Sequence, residues 1–127
     1  VFVLSHTVGT PGYLTRQQLL ELAADPLVTV GVHGSRHRIL TQCSPEEQAE
    51  EIFKSKEVLE ALVGKPCDLF AYSHGQYNDT VRKLTAYAGY RMAFAVAGRP
   101  LNRHFDQGPY ALPRESVEED TRAMFGL

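Results

Sequence analysis

Residues 27–37 read Leu-Val-Thr-Val-Gly-Val-His-Gly-Ser-Arg-His. A short apolar run over residues 28–32 leads directly into two histidines four positions apart, His33 and His37. A run of this length that ends in turn residues is typical of a buried strand. The histidines then stand where the strand ends, and in parallel α/β folds that edge carries the chemistry. This stretch therefore predicts a strand and, directly after it, part of a functional site.

Strand and helix signals alternate along the rest of the chain. Apolar runs predict strands over residues 1–4, 27–32, 67–71 and 91–96, and a short fifth strand over 110–112. Cap signals at Thr15, Ser44 and Asn78 predict helices that end near Ala24, before Gly64 and at Ala88, and Ser116 begins a last helical turn. This order predicts an α/β fold with parallel strands joined by right-handed crossovers.

Four of the five histidines fall at the carboxyl ends of these predicted strands. His6 follows the first strand, His33 and His37 the second and His74 the third, while His104 lies in the loop after the fourth. Parallel strands end at one edge, so these imidazoles are expected close together. Residues four apart on a helical turn share a face, and imidazole is a common zinc ligand. The alternative is a set of surface or capping histidines.

A second group of polar and aromatic side chains follows the third strand. Residues 70–79 read Phe-Ala-Tyr-Ser-His-Gly-Gln-Tyr-Asn-Asp, with Gly75 permitting a tight turn before the next helix. Backbone amides at such a turn can face an anion or an oxyanion. Tyr72, His74 and Tyr77 supply flat rings suited to a sugar face. The alternative is an ordinary strand–helix loop in which Tyr77 packs as a hydrophobic staple.

Length and composition narrow the function classes. The 127 residues suit one domain over the whole chain, and the 43% apolar content is ordinary for a globular protein. With a net charge of −2 and no basic run, nothing indicates nucleic-acid binding. No apolar stretch approaches the roughly 18 residues of a membrane span, and no signal-peptide pattern is visible, which leaves the compartment open. Cys43 and Cys67 are expected to be small, partly buried residues.

Together these segments resemble the polysaccharide deacetylase family, also known as the NodB-homology domain or carbohydrate esterase family four. Residues 31–37 match the family's His-Ser/Thr-x-x-His motif in both histidines. Residues 70–78 are similar to its Phe-Ala-Tyr-Pro-Tyr-Gly-x-Tyr-Asn motif, and residues 8–15, 88–94 and 112–114 resemble further family segments. The resemblance covers nearly the whole chain, and the order and spacing of the motifs are more specific than either motif alone.

The resemblance implies a distorted (β/α) barrel that removes N- or O-acetyl groups from a carbohydrate. It implies one divalent metal, zinc before nickel, cobalt or manganese, held by an Asp-His-His set in which His33 and His37 are the histidines. The backbone amide of His74 would be the oxyanion donor. Tyr72, His74 and Tyr77 would bind the substrate, an N-acetylated polymer or glycan.

The chain also departs from the family pattern. The Asp-Asp-Gly motif, which supplies the general base and the third ligand, would precede Val1, and no Asp-Asp occurs in the chain. We expect the late Leu-x-x-His motif, which carries the general acid, to be missing as well. Gly34, Ser73 and His74 replace the family's usual residues. The alternative is therefore a catalytically impaired carbohydrate-binding or assembly domain, and His6 is a candidate replacement ligand.

The number of strands limits how far the sheet can close. Four or five predicted strands cannot form a barrel that normally takes roughly seven or eight. The sheet should then have open edges, which a partner or further residues would cover. We therefore expect either a homo-oligomer or a partial, truncated member of the family.

Overall fold

The protein forms a sheet of five parallel strands in the order β1-β2-β3-β4-β5. The computed structural model describes residues 1–96 and 108–114. The strands are β1 (Phe2–Val3), β2 (Gly31–Val32), β3 (Leu69–Ala71), β4 (Met92–Val96) and β5 (Leu112–Arg114). Each strand pairs with the strand that follows it in the chain, which confirms the predicted alternation of parallel strands and helices.

The helices begin where the sequence places their caps. They are α1 (Arg16–Ala24), α2 (Pro45–Ala49), α3 (Ser55–Val63) and α4 (Asp79–Tyr87), and a π-helical turn (Glu50–Lys54) joins α2 to α3. Thr15 and Ser44 each form a complete capping box, and the Asn78 side chain accepts from the backbone N–H of Val81. Gly64 ends α3 in the left-handed conformation. These local signals therefore determine the helix bounds.

The strand bounds all differ from the predicted ones, most of all at β2 and β5. β2 contains only two residues because the chain turns before it: the Asp25 carboxylate accepts from the N–H of Leu27, whose side chain is 93% exposed. β5 begins at Leu112 rather than at Tyr110. Its Pro113 lacks an N–H, which an edge strand tolerates. The predicted strands over 27–32 and 110–112 are therefore corrected.

The core lies where the central strands meet the helices. Val32, Phe70 and Ala93 pair across β2, β3 and β4 and are fully buried. Leu19, Ile52, Leu59 and Val81 of the helices are also fully buried and belong to the same apolar cluster. Cys43 is a partly buried free thiol, as the sequence predicts, whereas the free thiol of Cys67 is fully buried. The strands and the helices thus share one apolar core.

Strands β1 and β5 are the edges of the sheet that the structure describes. The homo-oligomer expected to cover such edges stays a prediction. Across residues 1–96 and 108–114, no helix has the length and apolarity that a bilayer crossing requires. The helical turn predicted at Ser116 and the loop that contains His104 lie outside the described residues.

Candidate metal centre at the carboxyl edge of the sheet

His33 directly follows β2 and is held by the two neighbouring strands. Its backbone N–H donates to the carbonyl of Val3, which extends the β1–β2 ladder. Its own carbonyl accepts from the hydroxyl of Ser73, at 3.3 Å. The residue is therefore fixed between the ends of β1 and β3.

The His33 ring has a defined tautomer. Its Nδ1 lies 2.8 Å from the carbonyl oxygen of Ala71, and a carbonyl can only accept, so Nδ1 carries the proton. In the neutral ring Nε2 is then unprotonated and has its lone pair free. Burial lowers the pKa of His33 against the opposing effect of this hydrogen bond, and the charge of His37 lowers it further. His33 is therefore a neutral imidazole with one nitrogen available as a metal ligand.

The loop after His33 brings a second ring beside the first. The ring centroids of His33 and His37 are 4.8 Å apart. His37 adopts a left-handed backbone with a φ of 63°, which is uncommon outside glycine and is found at functional sites. Burial lowers the pKa of His37, the charge of His74 lowers it further, and the charge of Glu51 raises it. The predicted pair is therefore assembled as two adjacent imidazoles.

A third imidazole, His74, lies against the pair. Its ring centroid is 4.4 Å from that of His37, and its backbone is also left-handed, with a φ of 56°. The turn is so tight that a Cβ built on Gly75, whose φ is 67°, would lie 2.5 Å from the Cβ of Val96. Ser73, which replaces the family's proline, is buried and donates to His33. The turn after β3 is thus joined to the loop of residues 33–37, the histidine loop.

Two tyrosines predicted to face a sugar have different environments. Tyr72 is only 2% exposed, and its hydroxyl donates to the carbonyl of Tyr110 at 2.8 Å. Burial raises its pKa to about 12. Tyr77 stacks on the Tyr72 ring at 5.1 Å and packs against the core. Tyr72 is therefore a core residue with almost no ring area left for a sugar, which corrects that expectation, whereas Tyr77 keeps a partly exposed side chain.

His6 lies near the histidine loop through its backbone. Its N–H donates to the carbonyl of Ser35 at 3.3 Å, and its side chain is exposed. In the part of the chain that the structure describes, no group of three His, Cys, Asp or Glu side chains is arranged to hold a metal. Among these residues the predicted metal pair, His33 and His37, therefore has no third ligand beside it, and neither His6 nor His74 supplies one as the side chains stand.

Sequence reasoning overlooked the side chain that holds this loop. The carboxylate of Glu51 accepts the backbone N–H groups of Ser35 and Arg36, and Glu51 is fully buried. A signal was present, because Glu51 lies four positions before Ser55 and eight before Leu59 on the buried face of the helix. The neighbouring Glu50 forms exposed ion pairs with arginines of the same loop instead.

One expectation about the late motif is corrected by the sequence itself. Residues 101–104 read Leu-Asn-Arg-His, which has the Leu-x-x-His spacing that was expected to be missing. These residues lie outside the described ones. The Leu-x-x-His spacing is therefore present in the chain, and its role as the general acid stays a prediction.

A cavity of about 460 Å³ opens beside His33 at the β1 edge. Its walls come from β1, from the loop before α1 and from α1 itself, and include Phe2, Val8, Tyr13 and Gln18. The floor is largely apolar, and His33 supplies an imidazole to it. His33 is thus reachable from a concave surface, as a substrate site requires.

The chain matches known proteins along most of its length. A family model described as polysaccharide deacetylase matches residues 1–93. YxkH of Bacillus subtilis, which is named as a polysaccharide deacetylase, is 27% identical over 117 residues. The match covers 92% of this chain and 41% of YxkH, so the chain spans less than half of that relative.

Solved structures show the same fold. The deacetylase PplD of Streptococcus pyogenes, in complex with acetate, aligns with a TM-score of 0.81 at 24% identity, covering 92% of this chain and 52% of PplD. A polysaccharide deacetylase from Bacillus cereus aligns with a TM-score of 0.77 at 23% identity, covering 94% of this chain and 39% of the other. The five-stranded sheet therefore corresponds to a part of a (β/α) barrel.

Proposed function

Because this chain belongs to the polysaccharide deacetylase family, we propose that it contributes the two-histidine part of a divalent metal site with which the protein removes acetyl groups from a carbohydrate. Family membership supports a deacetylase-like function in general. The metal dependence, the residue roles and the substrate belong to the proposal.

The hydrogen bond from His33 Nδ1 to Ala71 is the observation that carries the proposal. Metal-binding histidines usually donate their second ring nitrogen to a carbonyl or a carboxylate, which fixes the tautomer and the ring orientation. With Nδ1 bound to the carbonyl of Ala71, Nε2 of the half-buried His33 is left as the nitrogen that can bind a metal, beside a second imidazole. His33 and His37 would hold the ion, and zinc is the first choice because neutral imidazole suits it.

The chemistry divides between the metal and the chain. A bound divalent cation would supply a Lewis acid that polarises the acetyl carbonyl and makes a water molecule more acidic. His33 and His37 stay neutral and oriented. The backbone N–H of His74 is proposed to donate to the oxyanion, because the turn after β3 places this residue beside His37. The partly exposed Tyr77 and the exposed His74 ring are the proposed sugar contacts.

The second candidate function is carbohydrate binding or assembly without catalysis. It is favoured by the environment of the Glu51 carboxylate. Within residues 1–96 and 108–114, the one fully buried carboxylate is that of Glu51, and it is bound to backbone amides. It is therefore committed to structure and is a poor general base.

A zinc titration tests the metal site. The chain is stripped with a chelator and titrated with Zn²⁺ by calorimetry, beside His33→Ala and the matched control His6→Ala. We expect one zinc per chain, loss of binding in His33→Ala and unchanged binding in His6→Ala. If the wild-type chain binds no zinc, the proposal is wrong, and equal losses in both variants would make His6 a ligand.

Acetate release separates the two candidate functions. The zinc-loaded chain is incubated with an N-acetylated oligosaccharide, and free acetate and glycan binding are measured in parallel. Acetate release that depends on zinc and on His33 supports the hydrolase. Glycan binding without acetate release supports the binding domain.

A further inference from the structure

Glu51 is the one charged residue that is fully buried in the described ranges 1–96 and 108–114. Its side chain is fully buried, and the other buried polar residues among those described are serines and one threonine. Moving an ionised carboxylate out of water costs several kcal/mol unless it is paired and hydrogen-bonded. Hydrogen-bond partners must therefore offset the desolvation cost of the Glu51 carboxylate.

The partners of Glu51 are backbone groups of the histidine loop. One carboxylate oxygen, Oε2, accepts from the N–H of Ser35 at 2.9 Å, and the other, Oε1, accepts from the N–H of Arg36 at 3.0 Å. Both donors lie between His33 and His37. Charge-assisted bonds of this kind are about twice as strong as neutral ones. The carboxylate therefore holds the segment that sets how the two imidazoles face each other.

The helix is modified where it carries Glu51. The residue lies in the π-helical turn Glu50–Lys54, and its carbonyl accepts from the hydroxyl of the buried Ser55. Single π-helical turns inside α-helices are frequent at functional sites. The Ser55 hydroxyl satisfies the Glu51 carbonyl within this irregular turn. The helix thus keeps Glu51 aimed at the loop without leaving its backbone unsatisfied.

The neighbouring glutamate provides a contrast. Glu50 is partly exposed and pairs with the side chains of Arg36 and Arg38, at 3.4 Å and 3.3 Å. Exposed pairs of this kind contribute little. Glu50 and Glu51 thus reach the same loop, one through side chains at the surface and the other through backbone amides inside.

Gly34 shows that the loop and the carboxylate share one space. Its φ is 89°, and a Cβ built there would lie 2.4 Å from Oε2 of Glu51. Any side chain at position 34 would displace the carboxylate or the loop. In this chain Gly34, which stands where the family motif has Ser or Thr, therefore leaves the space that the Glu51 carboxylate occupies.

From these contacts we infer that Glu51 is a positioning residue, which sets the arrangement of His33 and His37 for metal binding through the backbone amides of Ser35 and Arg36. The effect on metal affinity rests on the proposed function. The effect on loop structure does not, and the two are measured separately.

The test uses the full chain, two perturbing variants and a matched control for each. Glu51→Gln keeps the shape but removes the charge, and Glu50→Gln is the matched control on the adjacent residue. Gly34→Ala displaces the carboxylate from the other side. Its control is Gly12→Ala, because Gly12 has a similar φ of 85° and open space around it. The probe is Zn²⁺, titrated against a chromophoric chelator well below the unfolding temperature.

We expect Glu51→Gln to weaken zinc binding by about 10- to 100-fold. Glu50→Gln should change it by less than about fivefold. Without metal, amide hydrogen exchange of Ser35 and Arg36 should accelerate by about tenfold or more in Glu51→Gln and stay unchanged in Glu50→Gln. Gly34→Ala should reproduce both effects and Gly12→Ala neither.

Two results would overturn the inference. One is wild-type exchange rates at Ser35 and Arg36 in a folded Glu51→Gln chain. The other is an equal loss of zinc affinity in Glu50→Gln. If Glu51→Gln does not fold, the comparison of Gly34→Ala with Gly12→Ala decides by the same two measurements. A wild-type chain that binds no zinc would defeat the proposed function, while the exchange rates would still decide the role of Glu51.

Discussion

Replacing Gly75 with alanine should destabilise the protein through the turn that carries His74. The new Cβ would lie 2.5 Å from the Cβ of Val96 and 2.6 Å from its backbone nitrogen. The nitrogen cannot rotate away, so the turn or β4 must shift. The left-handed backbone, with a φ of 67°, costs about 1–2 kcal/mol for alanine, and overpacking about 1–3 more, or about 2–5 kcal/mol in total.

Urea unfolding measures this loss of stability. The chain has no tryptophan, so far-ultraviolet circular dichroism and tyrosine emission are the signals. Gly89→Ala is the matched control, because Gly89 has a φ of 87° and nothing within 4 Å of a built Cβ. It should lose only the backbone share, about 1–2 kcal/mol. Equal losses in the two variants, at unchanged denaturant slopes, would show that Val96 leaves room and that the packing argument is wrong.

Three further outcomes follow from two buried groups and one half-buried group. Tyr72→Phe should lower the free energy of unfolding by about 0.5–1.5 kcal/mol in the same urea assay, because the carbonyl of Tyr110 loses its donor. Burial raises the pKa of the Cys67 thiol to about 11, and the residue is 1% exposed, so it should resist a thiol reagent until the protein unfolds; rapid labelling of the native chain would contradict this. Burial opposes ionisation of Glu60, but hydrogen bonds from Lys56 and the backbone of Cys67, together with the Lys56 charge, lower its pKa below the ordinary 4.5. The resulting stabilisation is present above pH 4.5 and is lost as the pH falls through the lowered pKa of the folded protein. In urea unfolding curves, the free energy of unfolding of Glu60→Gln should therefore depend less on acid pH than that of the wild type.

The helices could be predicted closely because their determinants are local. The capping boxes at Thr15 and Ser44 need only residues three positions away. Strand ends depend on partners that are distant in sequence. Leu27 belongs to an apolar run and nevertheless lies 93% exposed in a turn, because the Asp25 side chain captures its N–H.

The candidate site was predictable in position but not in detail. The carboxyl ends of parallel strands meet at one edge, so the sequence placed His33, His37 and His74 together, and their rings are in contact. The role of Tyr72 was misjudged because its hydroxyl partner, Tyr110, lies 38 positions further along the chain. The spacing of Glu51 from Ser55 and Leu59 could have shown that it is buried, but not what it binds, because its partners are backbone amides.

The order of the sheet also bears on how the protein folds as it is synthesised. Every strand pairs with the strand next in the chain, so each strand–helix unit can add to the growing edge as soon as it leaves the ribosome. The histidine loop follows β2, and Glu51 arrives in the helical segment before β3. The loop is therefore locked by the next piece of chain to emerge, before the turn that carries His74 exists. A nascent chain that stops directly after this helical segment would have the loop bound by Glu51, but it would still lack the carbonyl of Ala71 that orients the His33 ring and the third imidazole.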